Sequence, residues 1–277
     1  MRLAVRLCGV ALGLLLAIAA IIMLTAGQAA DRSAKFLNAL DSSIWRRPLE
    51  GIRRLEYSEP SGLALIAFRL DESRPGEAGL VAKVIAARDP KGETAVDILK
   101  ATGAVLVING GYFDKAPDGT LSPTGLLVTA GHTIAPQSAC RACSGVLSIE
   151  TGKNLPSITW AKSFVLGPTF ESAVQTGPLL VEPGGKVGIT STGGPLAERS
   201  AICWTKTKPA KLVVVAVTSQ VTLYEFAGLL RSGFCDDVAI NLDGGPSTQI
   251  ATTVSGRLET FGNISPVQNF VAFFALK

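Results

Sequence analysis

The strongest constraint on this chain is that two apolar runs each end in an asparagine and a pair of glycines. Val238-Ala239-Ile240 leads into Asn241-Leu242-Asp243-Gly244-Gly245-Pro246-Ser247, and Val105-Leu106-Val107-Ile108 leads into Asn109-Gly110-Gly111-Tyr112-Phe113-Asp114. Short β-branched runs stopped by glycine read as buried strands. Paired glycines leave room for close backbone approach and permit positive φ angles that aim successive N–H groups into one concavity. Two strand ends of one design predict one shared pocket, with Asp243 at its rim. Asn-Gly and Asp-Gly are also common turn formers, so either segment by itself is equally well a tight turn.

The first residues bear on compartment. Arg2 and Arg6 precede an apolar run from Leu7 to Leu24, followed by the small residues Ala26, Gly27, Ala29 and Ala30. This is the outline of a secretory signal, and a run of that length could also stay in the membrane as an anchor. Residues 1–30 are read as signal peptide or N-terminal anchor, 31–60 as a helical lead-in, and 61–277 as one domain. The formal charge is +4, and the basic residues are scattered among acids, so no stripe marks a nucleic-acid surface. Any membrane contact is expected only through an uncleaved N-terminal segment, and the protein is placed outside the cytoplasm, periplasmic or extracellular. Cys140, Cys143, Cys203 and Cys235 are an even number suited to disulfides in an oxidising compartment, and three pairings are open. Cys140-Arg141-Ala142-Cys143 also has the spacing of a redox pair, without a helix to lower a thiol pKa.

Along the chain, Phe36, Leu37, Leu40, Ile44 and Trp45 form the apolar stripe of the lead-in helix. Leu63–Leu70 and Leu80–Ala86 read as strands, Thr94–Ala101 as a short helix ending at Gly103, and Val105–Ile108 as the next strand, a strand-helix-strand unit. Gly125–Thr129, Val146–Ile149, Ser157–Trp160 and Pro178–Val181 form a meander. Lys211–Val217 is a strand, and the capping-box spacing of Thr222 and Glu225 opens a helix ending before Gly233. Val238–Leu242, Ile250–Val254 and Phe270–Ala275 complete the set. The predicted class is α+β: a mixed sheet with helices packed against it.

His132 is the only histidine and is read as a turn residue, so a Ser-His-Asp relay or a histidine-rich metal centre finds little support. Ser247 also lacks the Gly-x-Ser-x-Gly elbow of esterases. What remains is carboxylates, arginine and glycine-rich backbone, which suit a substrate combining an anionic group with a sugar. Gln175-Thr176-Gly177-Pro178 adds an amide, a hydroxyl and a turn. Arg199, at the start of a strand, could grip a phosphate with its planar fork, or pair on the surface with a neighbouring acid. Asp243, Asp114, Asp118 and nearby carbonyls do not have the spacing of a calcium loop, so neither a metal nor another cofactor is expected.

Four segments in this order, Asn109-Gly110-Gly111-Tyr112-Phe113, Gln175-Thr176-Gly177-Pro178, Arg199-Ser200-Ala201-Ile202 and Asn241-Leu242-Asp243-Gly244-Gly245-Pro246-Ser247, resemble the phosphodiester glycosidase family. The resemblance spans roughly Leu63 to Phe274. It implies an exported hydrolase that cleaves the bond between a sugar's anomeric carbon and a phosphate oxygen. Cys203 stands where the family commonly has a glycine, and Pro246 replaces a third glycine, removing one N–H from the expected cradle.

The roles that follow are Asp243 as nucleophile or as base toward water, Asp114 as second carboxylate, and Arg199 with the amides of Gly110, Gly111, Gly244 and Gly245 as the phosphate grip. Asn109 and Thr176 orient the substrate, and Gly177 and Ser247 complete the binding set. The expected partner is a sugar phosphodiester or phosphate-containing glycan. A different class of function, a non-catalytic envelope protein that binds such phosphodiesters without turnover, uses the same cradle. A third, a thiol-disulfide protein built on Cys140 and Cys143, would need a reactive thiolate.

Overall fold

The computed structural model describes residues 45–59, 62–71 and 79–276, all within a compact unit spanning 43–277. The expected signal or anchor, and the lead-in up to residue 44, lie outside the described residues. From Arg46 the expected helical lead-in is instead a β-hairpin, Arg46–Leu49 with Ile52–Ser58, turning at Gly51 with a φ of 74°. Ile52 and Leu55 point inward from the second strand while Arg53 and Glu56 face solvent, and the hairpin joins the main sheet through Ala64–Asp71.

The α+β expectation is corrected. The described residues form antiparallel sheets, with α-helices only at Ala95–Thr102 and Leu223–Gly233. One eight-stranded sheet runs in the order Arg46–Leu49, Ile52–Ser58, Ala64–Asp71, Lys211–Val221, Ala197–Trp204, Val238–Asn241, Leu179–Glu182, Lys186–Val187. A five-stranded sheet orders Glu259–Gly262, Gln249–Thr252, Leu106–Asn109, Asn269–Ala275 and Leu80–Ala86. A second five-stranded sheet orders Ser157–Trp160, Gly145–Glu150, Phe170–Thr176, Leu127–Thr129 and His132–Ala135. The small hairpin Phe113–Lys115 with Leu121–Pro123 stands apart.

The strand-helix-strand unit forms, yet its two strands do not pair. Asn269–Ala275 lies between Leu80–Ala86 and Leu106–Asn109 and is antiparallel to both. Sequence periodicity gives a strand's faces but not its neighbour, and a strand from over 150 residues later takes that place.

One core joins the three large sheets. Phe68, Val214, Ile202 and Ile240 from the first meet Leu106, Ile108, Val271 and Phe273 from the second and Leu147, Ile149 and Val174 from the third. Strand alternation then fills a second layer: Val107, Phe270 and Ala272 turn to the opposite face, where Ala95, Ile98 and Leu99 of the first helix cover them. That helix starts at a capping box between Thr94 and Asp97 and stops at Gly103, φ 74°. The second helix opens with the reciprocal bonds of Thr222 and Glu225 and buries Phe226, Ala227, Leu229 and Leu230. Truncating a wholly buried aromatic such as Phe68 or Phe273 would cost about 3–5 kcal/mol.

The cysteines pair Cys140–Cys143 and Cys203–Cys235. The second bond ties Cys203, buried near the end of strand Ala197–Trp204, to the segment before Val238. His132 is exposed on an outer strand. Among the described residues no helix is long and apolar enough to cross a membrane.

Candidate active site

The two asparagine-glycine turns meet. The strands Leu106–Asn109 and Val238–Asn241 belong to different sheets, and their ends are tied by Asn109, whose Nδ2 donates to the Asp243 carbonyl at 2.7 Å. The Asp243 amide donates back to the Gly110 carbonyl at 2.9 Å. Asn109 is fully buried, and its Oδ1 accepts from the Ser200 hydroxyl at 2.8 Å and the Gln249 amide at 3.2 Å. One side chain thus joins Asp243, the arginine-bearing strand and strand Gln249–Thr252. A buried amide with both ends paired fixes geometry tightly, because breaking any of those bonds leaves a desolvated partner.

Asp243 is half-buried. Its carboxylate accepts from the Gly244 amide at 2.9 Å and from the Ser247 hydroxyl. Burial raises its proton affinity, and those two bonds only partly oppose the effect. Arg199 is 8% exposed, with Nε donating to the Val221 carbonyl at 3.3 Å and Nη2 to the Pro195 carbonyl at 2.7 Å. No carboxylate among the described residues forms a salt bridge with it, so the surface ion pair that was its alternative reading is not formed. Its Nη1 faces Gly244, where a Cβ would lie 3.6 Å from that nitrogen.

Tyr112 bridges the two turns. Its hydroxyl donates to the Gly177 carbonyl at 2.5 Å and accepts from Asn241 Nδ2 at 3.1 Å. Burial raises the phenol's pKa, with the Asp243 charge adding to the rise, while the Asn241 bond and Arg199 oppose it. Those couplings place phenol, carboxylate and guanidinium in one electrostatic neighbourhood. Asn241 is 1% exposed, and its Oδ1 is buried with no hydrogen-bond partner, an acceptor left over at the centre of the site.

The amide cradle is smaller than expected. Gly110 N–H donates to the Asn269 carbonyl at 2.8 Å, Gly111 N–H to Asn269 Oδ1 at 2.6 Å, and Gly244 N–H to Asp243. Three of the four amides assigned to phosphate are therefore committed within the protein. Gly110 is glycine because any Cβ would overlap Asn269 Oδ1. Gly245, at φ 57°, is the one glycine of the four with positive φ, and its N–H has no partner among the described residues. Pro246 follows, exposed and without an N–H.

Other assigned residues act inside the fold. Thr176 is fully buried and donates to the Asn241 carbonyl at 3.1 Å, so Thr176 and Asn109 hold the turns and not a substrate. Gly177 supplies the carbonyl that receives Tyr112 and Asn241, and Ser247 steadies Asp243. Asp114 is exposed on the small hairpin, where its carboxylate accepts from Thr124 at 3.4 Å; no bond among the described residues ties it to Asp243 or Arg199.

A carboxylate that the sequence reading passed over lies closer to the glycine turn. Glu198 is half-buried, its Oε2 accepts from Asn263 Nδ2 at 2.5 Å, and that same amide donates to the Gly245 carbonyl at 3.0 Å. Burial raises its proton affinity, with the Asn263 bond in partial opposition. Its only signal in the sequence was adjacency to Arg199, because Asn263 arrives from 65 residues away. Among the described residues no group of three or more His, Cys, Asp or Glu side chains is gathered as for a metal.

The fold and site together define an antiparallel β domain with a carboxylate, a guanidinium and an open glycine amide at the junction of two sheets. The profile of the phosphodiester glycosidase family matches residues 102–274, more than half of the chain, and the chain belongs to that family. No curated protein matches it. Among solved structures, the catalytic domain of zebrafish N-acetylglucosamine-1-phosphodiester alpha-N-acetylglucosaminidase, auto-inhibited by its pro-peptide, is similar at 15% identity and TM-score 0.59, covering 83% of this chain and 85% of that one. A hypothetical protein from Synechocystis is similar at 15% identity and TM-score 0.58, covering 82% of this chain; this chain spans only 62% of that protein's length. A putative exported protein from Burkholderia pseudomallei matches at 14% identity and TM-score 0.53, over 77% of this chain and 74% of that one. At such identities the likeness is one of fold.

Proposed function

We propose that the protein is an exported hydrolase that cleaves the bond between a sugar's anomeric carbon and a phosphate oxygen in a sugar phosphodiester. The observation that carries this reading is that Arg199 and Asp243 flank the same glycine, Gly244: a Cβ there would lie 3.6 Å from Arg199 Nη1, and the Gly244 amide donates to the Asp243 carboxylate. A buried guanidinium without a carboxylate partner is suited to a phosphate, and a half-buried carboxylate stands beside it. Family membership and the zebrafish enzyme's named activity support the same chemistry. The two disulfides, and the exported relative from Burkholderia, support a location outside the cytoplasm.

In this reading Arg199 and the Gly245 amide receive the phosphate. Asp243 acts on the anomeric carbon, directly or through water. Its raised proton affinity makes it a competent base only above the ordinary carboxylate range. A phosphate leaves as an anion, so stabilising its charge is the main task of the site. The test is to offer nitrophenyl and nucleotide-linked sugar phosphates to the purified protein and to Asp243→Asn. Equal product release by both forms would defeat the proposal.

The second reading, a binding protein for envelope phosphodiesters, is favoured by one observation: three glycine amides are committed internally and Pro246 offers none. Saturable glycan binding in a calorimeter without hydrolysis over long incubation would select it, and multiple turnovers would exclude it.

A further inference from the structure

The proposed reaction develops more negative charge than the donors of the site balance. When a sugar phosphodiester is cleaved at the anomeric carbon, the departing phosphate passes from one negative charge to two unless it takes a proton. Against that charge stand one guanidinium, Arg199, and one uncommitted glycine amide, Gly245. Pro246 supplies no N–H. A proton delivered to the leaving oxygen would make up the deficit, since a phosphate monoester takes its second proton near pH 6.

Glu198 is the group placed to deliver it. It begins the strand that carries Arg199, and its carbonyl touches the Gly244 position, where a Cβ would lie 2.8 Å away. Its carboxyl is held by Asn263 Nδ2 at 2.5 Å, and the same nitrogen grips the Gly245 carbonyl at 3.0 Å. Asn263 is itself fixed by its amide, which donates to the Thr248 carbonyl at 2.7 Å. Carboxyl and glycine turn are therefore clamped by one side chain. No cation among the described residues forms a salt bridge with Glu198. The charged groups on the elements around it are Arg199, turned to the Val221 and Pro195 carbonyls, Asp243 on the turn itself, and Glu259 on the strand leading into Asn263, which is paired with Arg54. The other carboxyl oxygen, Oε1, has no hydrogen-bond partner among the described residues.

We propose that Glu198 is the second carboxyl group of this site and a catalytic residue, the proton donor to the departing phosphate oxygen, working opposite Asp243. The inference rests on the hydrolase reading above. As water attacks the anomeric carbon, the carbon–oxygen bond breaks and its electron pair goes to the phosphate oxygen. The Glu198 proton goes to that oxygen, and the proton lost by water goes to Asp243. Solvent then returns a proton to Glu198 and takes one from Asp243.

The test compares the wild-type protein with Glu198→Gln, which keeps the size of the side chain and can still accept from Asn263. With an alkyl sugar phosphodiester, Glu198→Gln is expected to lower kcat about 100-fold and to remove the alkaline limb of the pH profile. An unchanged rate, or an equal loss at every pH with the limb intact, overturns the assignment. Calorimetry with inorganic phosphate, in buffers of different ionisation enthalpy, decides the placement without turnover. Proton uptake on binding should be larger in the wild type than in Glu198→Gln. Equal uptake, or no binding of phosphate, overturns it. If the wild type hydrolyses no sugar phosphodiester, the reaction proposed above fails, while this second measurement still decides whether Glu198 faces the anion.

Discussion

The turn after Asn109 and the turn after Asn241 look alike in the sequence and do different things. At Asn109-Gly110-Gly111 every polar group is turned inward: the asparagine bonds Asp243, Ser200 and Gln249, and both glycine amides bond Asn269. At Asn241-Leu242-Asp243-Gly244-Gly245 the turn keeps things back: a half-buried carboxylate, an amide at Gly245, and an unpartnered Asn241 Oδ1. The first turn is a latch and the second is the candidate site it holds. Residue types alone do not make a binding cradle; the difference is whether neighbouring backbone has already taken the donors.

That contrast is best attacked by changing each turn and reading both activity and stability. Asp243→Asn should have the largest effect, a fall in hydrolysis on the order of 1000-fold in a product-release assay, with the fold intact by circular dichroism. If this variant retains most of its activity, the second turn is not the site. Gly110→Ala should instead act on the latch. Its Cβ would overlap Asn269 and destabilise the protein by about 3 kcal/mol in urea unfolding, while KM measured on the folded fraction stays near wild type. A KM that rises with no loss of stability would mean the first turn binds substrate after all.

Arg199→Lys keeps a charge and loses the planar fork, and it should lower kcat/KM about 10-fold at one salt concentration. A smaller effect separates the two turns by pH. Asp243 has a raised proton affinity in the folded state, so its contribution to stability is present below the ordinary carboxylate range and is lost as pH rises through the raised value. Asp243→Asn should therefore melt a few degrees higher than wild type near pH 7, with the gap closing below about pH 4. Asn109→Asp in the latch should show the opposite sign at pH 7, because a buried amide with paired partners is replaced by a charge that loses its donor to the Asp243 carbonyl.

The strands were legible because their burial alternates or saturates over short windows bounded by glycine and proline. Leu80–Ala86 and Ser157–Trp160 form with the boundaries read from sequence, and the capping box of Thr222 and Glu225 closes as its spacing implies. Sheet class was not legible: the insertion of Asn269–Ala275 between two strands of an apparent crossover turns an expected mixed sheet antiparallel. The hairpin Arg46–Ser58 was hidden for a similar reason. Its second strand is held by pairing with Ala64–Asp71, and a helical stripe just upstream carried the local pattern. In the site, Asp243 and Arg199 were visible as motif residues, whereas Glu198 gained its surroundings only from Asn263.

By itself the sequence determined which residues are chemically capable, which segments are strands, and which family the chain belongs to, because residue type and local period are properties of neighbours along the chain. The tertiary structure alone decided which amides stay open, which cysteines pair and which carboxyl is tied through Asn263 to the glycine turn. Those depend on partners brought from tens to hundreds of residues away, and a hydrogen-bond donor already satisfied by such a partner looks in the sequence the same as one that is free.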